Sequence, residues 1–283
     1  MNGAPGKGFH WLASYPKSGN TWLRLALRSL EQGGVPISLA QPNAWAPIVS
    51  ALPFFEQALD VEAADLTLEE IERLRPRALE VEAREAPGPL FRKVHDAWTL
   101  TPEGEPLFPP RLTLGTLIIV RDPRDVAVSY AHFAGISLDR SIAFLANPQA
   151  QLAPSFRDGE GQMRQHLGSW SDHVASWLEA PGMNPLLLRY EEMKADPLET
   201  LRQAARHVGW NPTEEGLARA TEATRFETLQ AIERREGFGG KGAGKVPFFR
   251  RGEVGGWRDV LTPAQQAALE EAHGPMMARL GYL

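Results

Sequence analysis

The sequence predicts an α/β fold in a single domain, with a mostly parallel central sheet flanked by helices. Three observations predict it. Four short runs, at residues 9–13, 90–94, 114–120 and 186–188, read as strands, and 114–120, LGTLIIV, is apolar without alternation, as a strand buried on both faces is. Segments with helical periodicity or helix-start chemistry separate them, the pattern of a layered α/β domain. Polar residues gather just past the ends of these runs, and open α/β sheets bind ligands beyond the carboxyl ends of their strands.

The bulk numbers agree with one globular unit over residues 1–283. The hydrophobic fraction of 43% and charged fraction of 23% are ordinary for a folded domain, and no repeat or composition break marks a second one. A formal net charge of -5 argues against a nucleic-acid partner, which calls for a basic footprint, but leaves room for a local basic pocket. The absence of cysteine excludes disulfides, thiolate metal sites and cysteine nucleophiles. No apolar run approaches the ~20 residues of a membrane span, and the start MNGAPGKG has no signal-peptide core, so a cytoplasmic location without a membrane partner is expected.

In chain order, residues 1–8 read as a loose Gly/Pro tail. The first strand, 9–13, runs into Tyr15-Pro16-Lys17-Ser18-Gly19-Asn20-Thr21, and a helix begins with Trp22, Leu23, Leu25 and Leu27, ending near Gly33 and Gly34. Strand, small-residue loop and helix N-terminus together form an anion cradle. Residues 35–59, with prolines 42, 47 and 53 among Trp45, Phe54 and Phe55, read as a pocket lid or as a packed irregular crossover. Thr67 and Glu70 form a capping box for a helix that Pro76 is expected to break or kink.

The second strand, 90–94, delivers Lys93, His95 and Trp98 at its end; Trp98 is read equally as pocket wall or core. The third, 114–120, leads into Arg121 and a helix with Asp122 as N-cap and Pro123 at its first position. Residues 136–156 read as loop with a short helix, and 161–178 as a helix. After the fourth strand, helices are expected from Asp196-Pro197, from Asn211 as N-cap, across 224–235, and from Thr262-Pro263. Residues 237–244 hold five glycines, which predicts a mobile stretch within 237–249, either closing over a ligand or merely slack.

The basic groups at the strand ends, with Arg250 and Arg251, suit a ligand carrying anionic groups at two places. The loop is not a Walker A motif: Lys17 precedes Gly19 instead of following a glycine, so a triphosphate with magnesium is disfavoured. No G-x-G-x-x-G follows the first strand, which disfavours a dinucleotide.

Tyr15 to Trp22 resembles the phosphosulfate loop of sulfotransferases that use 3'-phosphoadenosine 5'-phosphosulfate. Arg121-Asp122-Pro123-Arg124-Asp125 with Ser129 resembles their 3'-phosphate element, residues 187–197 match a further family stretch, and Arg250-Arg251-Gly252 with Gly255-Gly256-Trp257 resembles their R-K-G-x-x-G-D-W element. These matches keep family order across about 240 of 283 residues and are similar to a bacterial-like, cytosolic-type, small-molecule member. The resemblance implies a P-loop-like sulfotransferase fold and a cofactor site. In it Lys17, Ser18, Gly19, Asn20 and Thr21 hold the 5' end, Trp22 and Phe226 flank the adenine beside Thr224, and Tyr190 lines the pocket. Arg121, Ser129, Arg250, Arg251 and Gly252 hold the 3'-phosphate.

The resemblance further implies His95 as general base, with Lys93 and Lys17 as catalytic cations and no metal. A histidine suits a base near neutral pH, and anionic oxygens in transfer need fixed cations. Gly256 replaces an aspartate of the family element, which bears on how the Arg250 segment is tied down. The family's dimerisation motif is poorly kept, and Thr262-Pro263 is better read as a helix start. The acceptor expected is a small apolar or aromatic molecule with a hydroxyl. Two other readings, a kinase-like phosphotransferase and a non-catalytic nucleotide binder, are disfavoured by the Lys17-Ser18-Gly19 order and by the presence of Lys93 and His95 respectively.

Overall fold

The computed structural model describes residues 6–154, 161–239 and 247–283. Much of the expected tail at 1–8 and mobile stretch at 237–249, and the end of the 136–156 segment, therefore lie outside the described residues. A four-stranded sheet has the order β2-β1-β3-β6, with β1 Phe9–Ser14, β2 Leu90–Val94, β3 Thr113–Val120 and β6 Pro185–Arg189. β1 and β2 are parallel, Phe9 opposite Leu90 and Ala13 opposite Val94. All of β1 is buried, which is why its sequence carries no alternation. A two-stranded antiparallel ribbon pairs β4 Gln151–Leu152 with β5 Gln165–His166.

By its internal contacts the chain sorts into two compact units, each of three stretches. The first comprises Met1–Tyr15, Ala46–Ile118 and Asn147–Leu187; the second comprises Pro16–Trp45, Ile119–Ala146 and Leu188–Leu283. The second unit therefore receives the chain as it leaves the carboxyl ends of β1, β3 and β6.

The first unit contains α2 Leu52–Leu59, α3 Leu68–Glu85 and α6 Trp170–Leu178. Its core packs Leu52, Phe55, Ile71 and Ala78 with Met163. The Thr67–Glu70 capping box opens α3. Pro76 lies inside this helix, yet the helix continues to Glu85. An internal proline costs about 3 kcal/mol; here Ile71, Ala78 and Leu79 are buried around it, and Arg75 is anchored beside it. The Arg75 guanidinium donates two bonds to Asp96, at 2.9 and 3.0 Å, with both side chains almost wholly buried.

Residues 161–178 are not one helix. The backbone of 161–167 bonds elsewhere in the unit: Met163 N–H to Ser50 O, Leu167 N–H to Ala150 O, and Ala97 N–H to His166 O. Helix starts only at Trp170, capped by Ser169, after Gly168 at φ +66°.

The second unit contains α1 Asn20–Glu31, α4 Pro123–Ala134, α5 Leu138–Ala146, α7 Tyr190–Ala195, α8 Pro197–His207, α9 Glu214–Ala223, α10 Phe226–Glu236 and α11 Pro263–Arg279. Asp122 caps α4 and Asp196 caps α8, as their sequences predict. The cap of α9 is Thr213, not Asn211, because the Thr213 hydroxyl accepts from Gly216 N–H at 3.1 Å. Thr262 and Gln265 form a full capping box on α11, which accounts for Thr262-Pro263 as a helix start. Among the described residues no helix is long and apolar enough to cross a membrane.

The Arg75–Asp96 pair sets a clear expectation. Arg75→Ala leaves Asp96 buried without its cation and should lower unfolding free energy by about 3–5 kcal/mol in urea denaturation. An effect below about 1 kcal/mol would show that the pair is not a structural anchor.

Candidate active site

Every cofactor residue expected from the sequence lies in the second unit, and Lys93 and His95 lie in the first. The second unit's site begins where β1 ends. Lys17 has φ +72° and Gly19 φ +110°, so the loop turns through left-handed backbone before α1. A Cβ on Gly19 would sit 2.7 Å from the Tyr190 ring, which explains the glycine. Gly19 offers α1 no side-chain cap. A helix start without a side-chain cap is suited to an anion. Ser18 Oγ and Arg121 Nε are buried without a hydrogen-bond partner among the described residues. Buried donors of this kind call for an acceptor.

The Lys17 ammonium sits between two rings, 4.5 Å from the Phe133 centroid and 4.6 Å from that of Phe248. Burial, then the nearby charges of Arg121 and Arg250, lower its pKa to about 8. Arg121 donates to Lys17 O at 3.4 Å and to Glu253 O at 2.8 Å, and its guanidinium lies 4.3 Å from the Tyr190 ring centroid. Ser129 lies on α4, one helical turn beyond Asp125.

Side chains that sequence reasoning left without this role hold the Arg250 segment. The Glu233 carboxylate accepts from the N–H groups of Phe248 and Phe249, at 2.6 and 2.9 Å. Gln230 donates to Phe249 O and Arg250 O. Asp125 accepts from Gly255 N–H at 2.8 Å and Trp257 N–H at 3.0 Å. The neighbouring Arg124 bonds Asp122, Glu270 and the Tyr282 carbonyl. A Cβ on Gly252 would fall within 2.4 Å of the Phe226 ring, so Gly252 backbone lies directly on that ring. Phe238 stacks on Phe248 at 4.3 Å, so the described ends of 237–249 are packed. Arg251 is exposed, 3.8 Å from Glu253.

Trp22 donates its indole N–H to Thr224 O at 2.7 Å and meets Tyr190 edge-on. Trp22 and Thr224 border a small apolar crevice with Met193 and Thr200. Trp22 and Phe226 both pack on a cluster that includes Leu25, Leu39 and Phe249.

In the first unit, β2 carries Lys93, whose backbone N–H donates to Pro47 O and whose carbonyl accepts from Val49 N–H. His95 follows. Its Nδ1 lies 2.8 Å from Ser14 O. A carbonyl only accepts, so in this contact the Nδ1–H is the donor. The His95 carbonyl accepts from His173 Nε2 at 3.1 Å. Burial holds the His173 pKa down to about 4, which keeps that ring neutral. Next along the chain, Asp96 is gripped by Arg75, and its carbonyl accepts from the Trp177 indole at 2.9 Å. Both His173 and Trp177 are at helical spacing on α6, but nothing local in the sequence tied them to His95.

Residues 9–281 match the family model described as sulfotransferase domain. The chain belongs to the sulfotransferase family. Relatives include mouse sulfotransferase 1B1, 28% identical over 94% of this chain and 82% of the relative. Rabbit sulfotransferase 1C2 is 29% identical over the same shares, and Arabidopsis cytosolic sulfotransferase 17 is 27% identical over 92% of this chain and 71% of its own. Among solved structures, mouse sulfotransferase SULT7A1 complexed with PAP shares the fold, with TM-score 0.60 and 20% identity over 97% of this chain and 86% of that one. Retinol dehydratase in complex with androsterone and PAP also has TM-score 0.60 and 20% identity, over 96% and 81%. The sulfotransferase sequence pattern and this sheet order thus describe one fold.

The Asp125 tie yields a test. Asp125→Ala removes both acceptors for Gly255 and Trp257 and should cost about 1–3 kcal/mol of stability. Amide exchange at those two positions should accelerate well beyond the global change. Unchanged exchange there would show that the segment is held by other contacts.

Proposed function

We propose that this protein transfers a sulfuryl group from 3'-phosphoadenosine 5'-phosphosulfate to the hydroxyl of a small apolar or aromatic acceptor, and that residues 1–283 work as one catalytic domain. The observation that carries the reading is the anion loop with buried, unpartnered donors at Ser18 and Arg121, flanked by Lys17 and Arg250. Membership in the family and the PAP named in two neighbours' structures support the donor's identity. Androsterone, named in one of them, is apolar with a hydroxyl and supports the acceptor class.

The donor supplies an activated sulfur–oxygen bond with a nucleotide leaving group. Ser18, Gly19, Asn20 and Thr21 would hold its 5' end through the loop's N–H and hydroxyl donors. Trp22, Thr224, Phe226 and Tyr190 would seat the base. Arg121, Ser129, Arg250, Arg251 and the Gly252 N–H would bind the 3'-phosphate. His95 Nε2 would take the acceptor's proton as the acceptor oxygen bonds to sulfur. Lys17 would stabilise the bridging oxygen as its bond to sulfur breaks, leaving adenosine 3',5'-bisphosphate. Lys93 would balance charge on the sulfuryl oxygens. The 2.8 Å contact between His95 Nδ1 and Ser14 O, which orients the ring, supports this role.

Turnover of hydroxylated acceptors should depend on the phosphosulfate donor and not on ATP with magnesium, read by mass spectrometry that resolves sulfate from phosphate. His95→Ala should lose about 10²–10⁴-fold in kcat with donor affinity kept. Full turnover by that variant would end the general-base assignment.

The Lys17 pKa of about 8 adds a pH test. Below that value the free loop carries the charge; above it the charge is lost unless the ligand restores it. Affinity for adenosine 3',5'-bisphosphate should therefore fall by up to about tenfold per pH unit above about pH 8, and Lys17→Met should flatten that slope. His132 does not interfere, because burial and the charges of Arg250 and Arg251 lower its pKa, so it is neutral throughout this range. A wild-type slope equal to that of Lys17→Met would remove Lys17 from the ligand's contacts.

A further inference from the structure

Arg24 stands on α1 just inside the anion loop and is 2% exposed. Its position, four residues after Asn20 and three after Thr21, puts the three side chains on one face of the helix. Its Nε donates to Asn20 Oδ1 at 3.0 Å, and its Nη2 to Thr21 Oγ1 at 3.3 Å. The same Nη2 donates to Asn43 Oδ1 at 2.9 Å, and Nη1 to Pro42 O at 3.1 Å. One guanidinium thus joins the loop to residues 42–43.

Asn20 and Thr21 are ambivalent groups. An amide side chain offers an acceptor oxygen and a donor NH₂; a hydroxyl accepts and donates. A phosphate or phosphosulfate offers acceptors alone, so the loop serves it only through donors. Guanidinium is the converse, five donors and no acceptor. By occupying the Asn20 oxygen, Arg24 fixes which way that amide is turned, and by taking a Thr21 lone pair it turns the Thr21 proton into the donor offered to an anion. Burial lowers the Arg24 pKa to about 10, which leaves it charged at neutral pH and adds to the positive field at the loop.

We infer that Arg24 is a positioning residue that sets the donor polarity of the phosphate loop, acting through Asn20 and Thr21. The inference rests on reading this loop as the seat of the donor's 5' end. It makes residues 42–43 part of the loop's support, so the segment between α1 and α2 contributes to nucleotide affinity without touching the nucleotide.

A double-mutant cycle on the full chain tests it, with affinity for adenosine 3',5'-bisphosphate measured by calorimetry and stability by urea denaturation. Arg24→Gln and Thr21→Val should each weaken binding by about tenfold. If Arg24 acts through Thr21, the double variant should bind within about threefold of the weaker single, since coupled residues are not additive. Arg24→Lys keeps the charge but not the fork, and should lie between wild type and Arg24→Gln, which covers a Gln variant that fails to fold. Wild-type affinity in both Arg24 variants overturns the inference. Losses that simply multiply in the double variant also overturn it, because they describe a structural arginine independent of the loop's donors. Failure of the wild type itself to bind would instead overturn the nucleotide reading on which the inference depends.

Discussion

The second unit is built around a repulsion. Lys17, Arg121 and Arg250 lie close enough for the two arginines to depress the lysine's pKa, and Arg251 and Arg121 act likewise on Arg250. Like charges at this range push a free chain apart. The unit holds them chiefly with neutral groups, with Asp125 3.9 Å from Arg121 and Glu253 3.8 Å from Arg251. Arg121 leans on two backbone carbonyls and a tyrosine face, and Lys17 on two phenyl rings. Carbonyls and ring faces attract a cation yet yield readily to a full anion. The carboxylates nearby are engaged differently: Asp125 and Glu233 accept from backbone N–H groups and so fix the chain that carries the cations. The result is a cluster of cations that the nearby carboxylates offset only in part.

The first unit solves a different problem, which is to hold one imidazole ring in place. The Ser14 carbonyl does this from one side, and the residues behind His95 hold its backbone. His173, Trp177 and Arg75 all reach the two-residue stretch His95-Asp96, and each comes from a helix whose own apolar face is buried. Precision of this kind needs buried polar groups that are fully paired. Ser14, whose carbonyl meets the ring, precedes Lys17 by three residues in the chain.

Much of this was legible. The strands were visible because burial on both faces removes alternation, and the helix starts because capping depends on a few neighbouring residues. The anion loop was legible for the same reason: its glycine, lysine and hydroxyls are contiguous. What escaped was long-range. Asp125 accepts from backbone N–H groups 130 and 132 residues away, which nothing local announces. The stretch 161–167 has helical-looking composition, but its N–H groups are satisfied by other segments, so no local pattern could reveal its extended form. Pro76 was expected to interrupt α3 because its local cost is known; the packing that offsets it is tertiary. Arg24 went unremarked because an arginine inside a helix reads as a solvated face until its burial is known.

The glycine at 256, where the family element has an aspartate, then has a physical reading. A Cβ there would meet Glu253 Oε2 at 3.0 Å and lie 4.0 Å from Asp125 Oδ1. An aspartate would bring a third carboxylate against two, in a region where burial already raises the Asp125 pKa. Asp125 supplies the acceptors for Gly255 and Trp257 by itself, so the segment needs no second acid to be held. Trp257 in turn lies over the Arg124 guanidinium at 4.1 Å, and Arg124 is bonded to Asp122 at the start of α4. The helix that carries Ser129 and the segment that carries Arg250 are therefore fastened to each other twice. The departure at 256 removes a charge that this arrangement leaves no room for, and the cationic character of the Arg250 segment is kept.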